Sequence, residues 1–103
     1  MSLATISKSE FDEKLQSSKR LVLKFTAVWC GPCRSFTPIV ESVAQNHPDI
    51  EFVEVDVDKD PELAAQWGIR SIPTTIGFKD GAKAFQFLGA VSANDLERHL
   101  TAL

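Results

Sequence analysis

Leu21-Val22-Leu23-Lys24-Phe25-Thr26-Ala27-Val28 runs directly into Trp29-Cys30-Gly31-Pro32-Cys33, after which Phe36, Ile39, Val40 and Val43 fall at i, i+3, i+4 and i+7. The first run is almost continuously apolar, the pattern of a strand buried on both faces of a parallel sheet. The last set draws one apolar stripe along a helix reaching about Asn46. Pro38 lies inside that helix and is expected to kink it. The only two cysteines of the chain therefore sit where a buried strand hands over to a helix. A disulfide closing so short a loop constrains the unfolded chain little and makes a poor brace. The same sulfurs at a helix start can instead cycle between dithiol and disulfide.

Working outward, Ser7-Lys8-Ser9-Glu10 has the capping-box form, with Phe11 and Leu15 four apart behind it. It predicts a helix over about 8–17 after a short strand near 3–6. Ile50 to Val57 alternates apolar residues with acids and reads as a third strand. Asp60-Pro61-Glu62 supplies a cap, a proline at the first helical position and an acid in the first turn, opening a short helix through about Trp67. Thr74 to Phe78 and Ala84 to Leu88 flank Lys79-Asp80-Gly81, where Asp-Gly signals a hairpin. Ser92-Ala93-Asn94-Asp95 opens a last helix with Leu96, Leu100 and Leu103 on one face. The order βαβαβαββα predicts an α/β fold, a central mixed sheet flanked by helices on both faces.

At 103 residues, 44% hydrophobic and without a linker or repeat, the chain reads as one domain over 1–103. A net charge of −3, with Lys and Arg scattered, argues against nucleic acid as a partner. No window approaches the roughly 20 apolar residues of a membrane span. The N-terminus lacks the form of a secretory signal. A reducing, cytoplasmic setting is the simpler expectation, in which a lone cysteine pair is catalytic rather than structural. A monomer is expected.

Cys30, leaving the sheet, should meet the unpaired N–H groups of the following helix, which together act like roughly half a positive charge and favour a thiolate. Cys33, one turn further in, should be more enclosed. The implied cycle is attack by Cys30 on a substrate disulfide, a mixed disulfide, then attack by Cys33 that releases the reduced substrate. Gly31 lets a partner backbone approach, and Pro32 stiffens the loop without needing an N–H. A zinc site would require two further ligands, and His47 and His99 are far apart in the sequence with no paired spacing. No metal is therefore expected, and the histidines are assigned no chemistry. Trp67 is expected to serve packing.

Trp29-Cys30-Gly31-Pro32-Cys33, Pro38 in the same helix, Ile72-Pro73-Thr74 before the hairpin, Asp80-Gly81 at its turn and Gly89 after it together resemble the thioredoxin family. The resemblance covers essentially the whole chain. It implies the thioredoxin fold and a general protein disulfide reductase, with Cys30 attacking and Cys33 resolving. No bound cofactor is implied beyond the redox-active disulfide. The implied partners are disulfide-containing proteins and a thioredoxin reductase, with electrons drawn from NADPH or ferredoxin. Trp29 would flank the site and Pro73 would be the family's cis-proline, although cis bonds are only about 5–6% of X-Pro bonds in folded proteins. A substrate strand could pair with the Ile72 backbone. Gly31, Pro32, Ile72, Pro73, Gly89 and Ala90 would form the docking face with Trp29. A strand-end bulge is the plainer reading of Gly89.

Two positions depart from the family. Lys24 stands where thioredoxins usually carry a buried aspartate thought to take a proton from the resolving cysteine, and Glu54 stands where bacterial members commonly have lysine. The expectation is a partly buried pair of reversed polarity that tunes the thiols, with Glu54 a candidate proton acceptor in place of the aspartate; the alternative is that Lys24 snorkels to solvent. Thr26 replaces a second tryptophan found in many members. A more oxidising oxidase or isomerase is the competing enzyme, though Gly31-Pro32 speaks against it. A redox-gated binding module is the competing non-enzyme.

Overall fold

The computed structural model describes residues 3–103. Met1 and Ser2 lie outside them, as does that much of the one-domain reading. Five strands, β1 (Ala4–Thr5), β2 (Arg20–Thr26), β3 (Glu51–Asp56), β4 (Thr74–Lys79) and β5 (Ala82–Leu88), form one sheet in the order β1-β3-β2-β4-β5. The first three are parallel, while β4 and β5 run antiparallel to their neighbours. The parallel part follows from the helical crossovers, and the β4–β5 hairpin from the two-residue turn at Asp80-Gly81. Both turn residues have positive φ, 50° and 82°, as a turn matching strand twist requires.

Alternation along β2 sorts the core into two halves. Leu21, Leu23 and Phe25 meet α1 (Lys8–Ser17) through Phe11 and α3 (Pro61–Gln66) through Leu63 and Ala64. Val22, on the opposite face, lies with Phe36, Val40 and Val43 of α2 (Gly31–Ala44) and with Leu96 and Leu100 of α4 (Ala93–Leu100). Helices cover both faces, as predicted. Trp67 packs edge-on against Phe11 and Phe78, in the packing role expected. The capping box at Ser7 and Glu10 is complete, and α2 runs through Pro38 without interruption.

Three local expectations need correction. The second strand ends at Thr26 rather than Val28: Thr26 is the last residue in register, opposite Asp56. Its carbonyl takes the Val57 N–H, and Cys30 N–H then turns back to the Ala27 carbonyl. Val28 is consequently 74% exposed. Asp60 occupies the N-cap of α3 but makes no side-chain cap; its carboxylate instead accepts the Lys8 N–H at 2.7 Å, tying two helix starts together. The hairpin strand β5 begins at Ala82, two residues earlier than predicted, because the Asp80-Gly81 turn lets pairing start at Lys79↔Ala82.

Candidate active site

The end of β2 delivers the chain to the start of α2 through the Ala27–Cys30 turn. Cys30 is the N-cap, with extended backbone (φ −88°, ψ 108°), and its sulfur accepts the Cys33 N–H at 3.2 Å. An oxygen-bearing side chain usually does this work; here a sulfur does, so an orphan donor of the helix points at Cys30 Sγ. Cys30 and Cys33 are joined as a disulfide with Cα atoms 5.2 Å apart. Cys30 retains 5% exposure and Cys33 none, the ordering expected for outer and inner sulfurs.

Around the disulfide the chain exposes apolar surface. Trp29 is 64% exposed, and its indole N–H donates to Asp58 Oδ2 at 2.7 Å. Gly31 and Pro32 are exposed beside it, and a side chain at Gly31 would meet nothing within 4 Å. Internal packing therefore does not demand a glycine there. From the other side, the Ile72–Pro73 bond is cis. The Ile72 carbonyl oxygen lies 3.9 Å from Cys30 Sγ, a contact rather than a hydrogen bond, since a disulfide sulfur carries no proton. Pro73 is buried and its carbonyl takes the Gly89 N–H at 2.7 Å, which places Gly89, at φ 95°, beside the loop, with exposed Ala90 following. A shallow cleft of about 170 Å³ separates Trp29 from Ile72, and Val57, Ala64 and Ile69 give it apolar walls.

Beneath this surface Lys24 is fully enclosed, which excludes snorkelling. Its Nζ lies 3.4 Å from Glu54 Oε2, 2.8 Å from Thr37 Oγ1 and 3.2 Å from the Cys33 carbonyl oxygen. Burial pulls the Lys24 pKa below its ordinary value; the charge and hydrogen bond of Glu54, and then the charge of Glu41, oppose that shift. Sequence reasoning missed Thr37, Asp58 and the Arg34 guanidinium, which donates to the Val28 carbonyl. Thr37 follows Cys33 by one helical turn, a spacing visible in the sequence. Asp58 becomes visible only once β2 and β3 are in register.

His47 and His99 stay remote from the sulfurs: His47 meets Glu97 at 2.6 Å, and His99 stacks on Phe87. Among the described residues no three His, Cys, Asp or Glu side chains group as metal ligands, and no helix is long and apolar enough to cross a membrane.

The profile of the thioredoxin family matches residues 2–102. The chain belongs to the thioredoxin family. It is 45% identical over 93 residues to thioredoxin of Mycoplasmoides gallisepticum, covering 90% of this chain and 93% of that one. It is likewise 45% identical over 93 residues to thioredoxin 1 of Synechococcus elongatus, covering 85% and 87%. The oxidised mitochondrial thioredoxin 3 of Saccharomyces cerevisiae superposes with a TM-score of 0.91 at 31% identity, over 98% of this chain and 95% of that one. Thioredoxins are disulfide oxidoreductases, and the Cys30–Cys33 disulfide is the redox-active pair of this one.

Proposed function

We propose that the protein is a monomeric, cytoplasmic reductant of protein disulfides, recharged by a thioredoxin reductase and acting without a bound cofactor. The observation that carries this reading is the hydrogen bond from Cys33 N–H to Cys30 Sγ. Together with the helix dipole it favours negative charge on the outer sulfur, making Cys30 the attacking group. Thioredoxins are themselves a standard illustration of that acidity. Cys33, enclosed directly behind it, resolves the mixed disulfide.

Substrate docking is assigned to Trp29, Gly31, Pro32, Ile72, Pro73, Gly89 and Ala90. An extended segment lies across this face, pairs with the Ile72 backbone as an added strand, and sets an apolar side chain in the cleft beside Trp29. The absence of any cysteine outside the pair favours a reducing compartment, where disulfide braces are not used.

The test is reduction of insulin disulfides by dithiothreitol, followed by turbidity, with Cys30→Ser as control; a second arm supplies NADPH and a thioredoxin reductase. Rapid turnover by the parent and none by the variant is the expected outcome. A parent that fails to accelerate the reaction refutes the reading.

A further inference from the structure

Lys24 is a charged side chain at 0% exposure, directly under the disulfide. The sheet register puts it between Glu54 of β3 and Thr75 of β4. Its polar neighbours decide its state. An ammonium has three N–H donors and no acceptor, and Lys24 Nζ faces three acceptors: Thr37 Oγ1, the Cys33 carbonyl oxygen and Glu54 Oε2. The Thr37 hydroxyl spends its own proton on the Cys33 carbonyl at 3.0 Å, so its oxygen is left to accept from Nζ. A neutral amine would aim a lone pair at one of these acceptors. The arrangement selects the ammonium, facing Glu54.

The charged groups around it are Glu54 on β3 and Glu41 on α2, while β4 contributes the neutral Thr75, whose hydroxyl has no partner among the described residues. Burial acts against the ammonium, and the two carboxylates act for it.

We propose that Lys24 is a positioning residue for the second half of the redox cycle: a fixed cation that holds the Cys33 carbonyl and stabilises Cys33 as a thiolate, so that resolution needs no buried carboxylate base. The inference rests on the assignment of Cys33 as the resolving sulfur. In the mixed disulfide, Cys33 gives its proton to water and its thiolate attacks Cys30 Sγ. The Cys30–Cys33 bond forms as the bond from Cys30 to the substrate sulfur breaks. The electron pair leaves on that sulfur, which takes a proton from water. Cys33 is oxidised and the substrate sulfur is reduced, so the substrate disulfide is the oxidant. A protonated lysine cannot receive the Cys33 proton; it acts through its field alone.

The carbonyl oxygen and Sγ of one cysteine are joined through only four bonds, so Nζ lies within about 8 Å of Cys33 Sγ. With an effective dielectric near 20, a unit charge at that distance changes thiol ionisation about thirtyfold. Glu54 meets Nζ at 3.4 Å rather than the Cys33 carbonyl, so at about 11 Å from the sulfur its own effect is weaker and opposite in sign, about tenfold.

The experiment titrates the thiolate absorbance of Cys33 from about pH 6 to about pH 10 in a Cys30→Ser background, where Cys33 is the only thiol. Lys24→Met and Glu54→Gln are introduced separately. The same two substitutions in the Cys30-containing protein are equilibrated with glutathione. Lys24→Met is expected to lower the Cys33 ionisation constant about thirtyfold and make the protein more reducing. Glu54→Gln is expected to raise the constant about tenfold and make it more oxidising. Constants within twofold of the parent, or both substitutions moving the constant the same way as general loosening would, overturn the proposal. If Lys24→Met does not fold, Glu54→Gln decides alone: a raised constant supports the proposal and an unchanged or lowered one overturns it. Whether the protein reduces disulfides at all is read from the parent in the insulin assay, so the two failures are distinguishable.

Discussion

Replacing Lys24 by Met should make the oxidised protein more stable, even though the same change impairs its tuning. At 3.4 Å from Glu54 and an effective dielectric near 20, the attraction holding the ammonium is about 5 kcal/mol. Withdrawing such an ion from water costs several kcal/mol even after relaxation, and at Lys24 burial outweighs the attraction, which is why its pKa falls below the ordinary value. Methionine, one atom shorter, keeps most of the apolar stem of lysine and removes the desolvation cost. Nothing is stranded by the change. The Cys33 carbonyl keeps the Thr37 hydroxyl at 3.0 Å, and Glu54, with 17% of its side chain exposed, keeps access to water and to Thr5 Oγ1 at 3.4 Å. Removing one member of a fully buried pair destabilises because the other charge is left uncompensated; here the remaining Glu54 reaches water and burial outweighs the attraction at Lys24, so a modest gain of about 1 kcal/mol is expected. With a urea m-value of about 1–2 kcal/mol per molar for a chain of this size, the midpoint should rise by about 0.5–1 M.

The gain should also depend on pH. The folded pKa of Lys24 is lowered by burial from its ordinary 10.5, so between the folded and unfolded values the unfolded chain binds more protons and stability rises with pH. The penalty of Lys24 is fully present below its folded pKa and gone above about 10.5, and the parent should approach Lys24→Met as the solution becomes alkaline. Urea titrations of both oxidised proteins at neutral and alkaline pH check this. A variant less stable than the parent at neutral pH would refute the reasoning, because it would show that the buried ammonium contributes more to the fold than its desolvation costs.

Two further outcomes follow from the packing. The Glu51 carboxyl is held below the usual glutamate range first by its hydrogen bond from Lys14, then by Ser18 and by the charge of Lys14, against the opposing effect of burial. Lys14→Met should therefore lose under about 1 kcal/mol above about pH 4.5, discounted because both partners are partly exposed. That difference should vanish as pH falls through the folded Glu51 pKa, as paired denaturation curves would show. Gly77→Ala should be destabilised by about 1–3 kcal/mol, because the added Cβ would overlap the Phe85 ring and displace it from its stack on Phe87 and its tilted contact with His99; a melting temperature within a degree or so of the parent would count against it.

The parts legible in the sequence were those written in local chemistry. Ser7 and Glu10 announce their helix because each satisfies the other's backbone. Asp80-Gly81 announces its hairpin because few other pairs tolerate positive φ twice. The cysteine pair announced a site because a strand ended just before it. What was not legible depended on distant partners. Ala27 and Val28 are as apolar as the strand before them, yet the ladder stops at Thr26, where β3 gives way to the loop carrying Asp58. Asp60 has every property of a cap and is diverted by the Lys8 N–H, a choice settled 52 residues away. Glu54 was legible as a partner for Lys24 because both sit at matching places on neighbouring strands. Thr37 was legible only as a residue one turn after Cys33, since nothing in the sequence says that the lysine meets that turn.

The division of labour at the site explains how an unusual lysine can sit under an ordinary motif. The charge that favours a thiolate at Cys30 comes from backbone: the Cys33 N–H and the dipole of α2 exist whatever side chains surround them. That component is bound to the strand-turn-helix geometry and changes only if the fold changes. The component acting on Cys33 comes from side chains on β2 and β3, where the parallel register places Lys24 opposite Glu54. Exchange of residues at this pair alters the sign of the field behind the inner sulfur while leaving the cap, the docking face and the order of attack in place. The attacking half of the reaction is therefore fixed by the fold and the resolving half by two side chains, which is where members of one family can differ in redox behaviour with the same five residues at the surface.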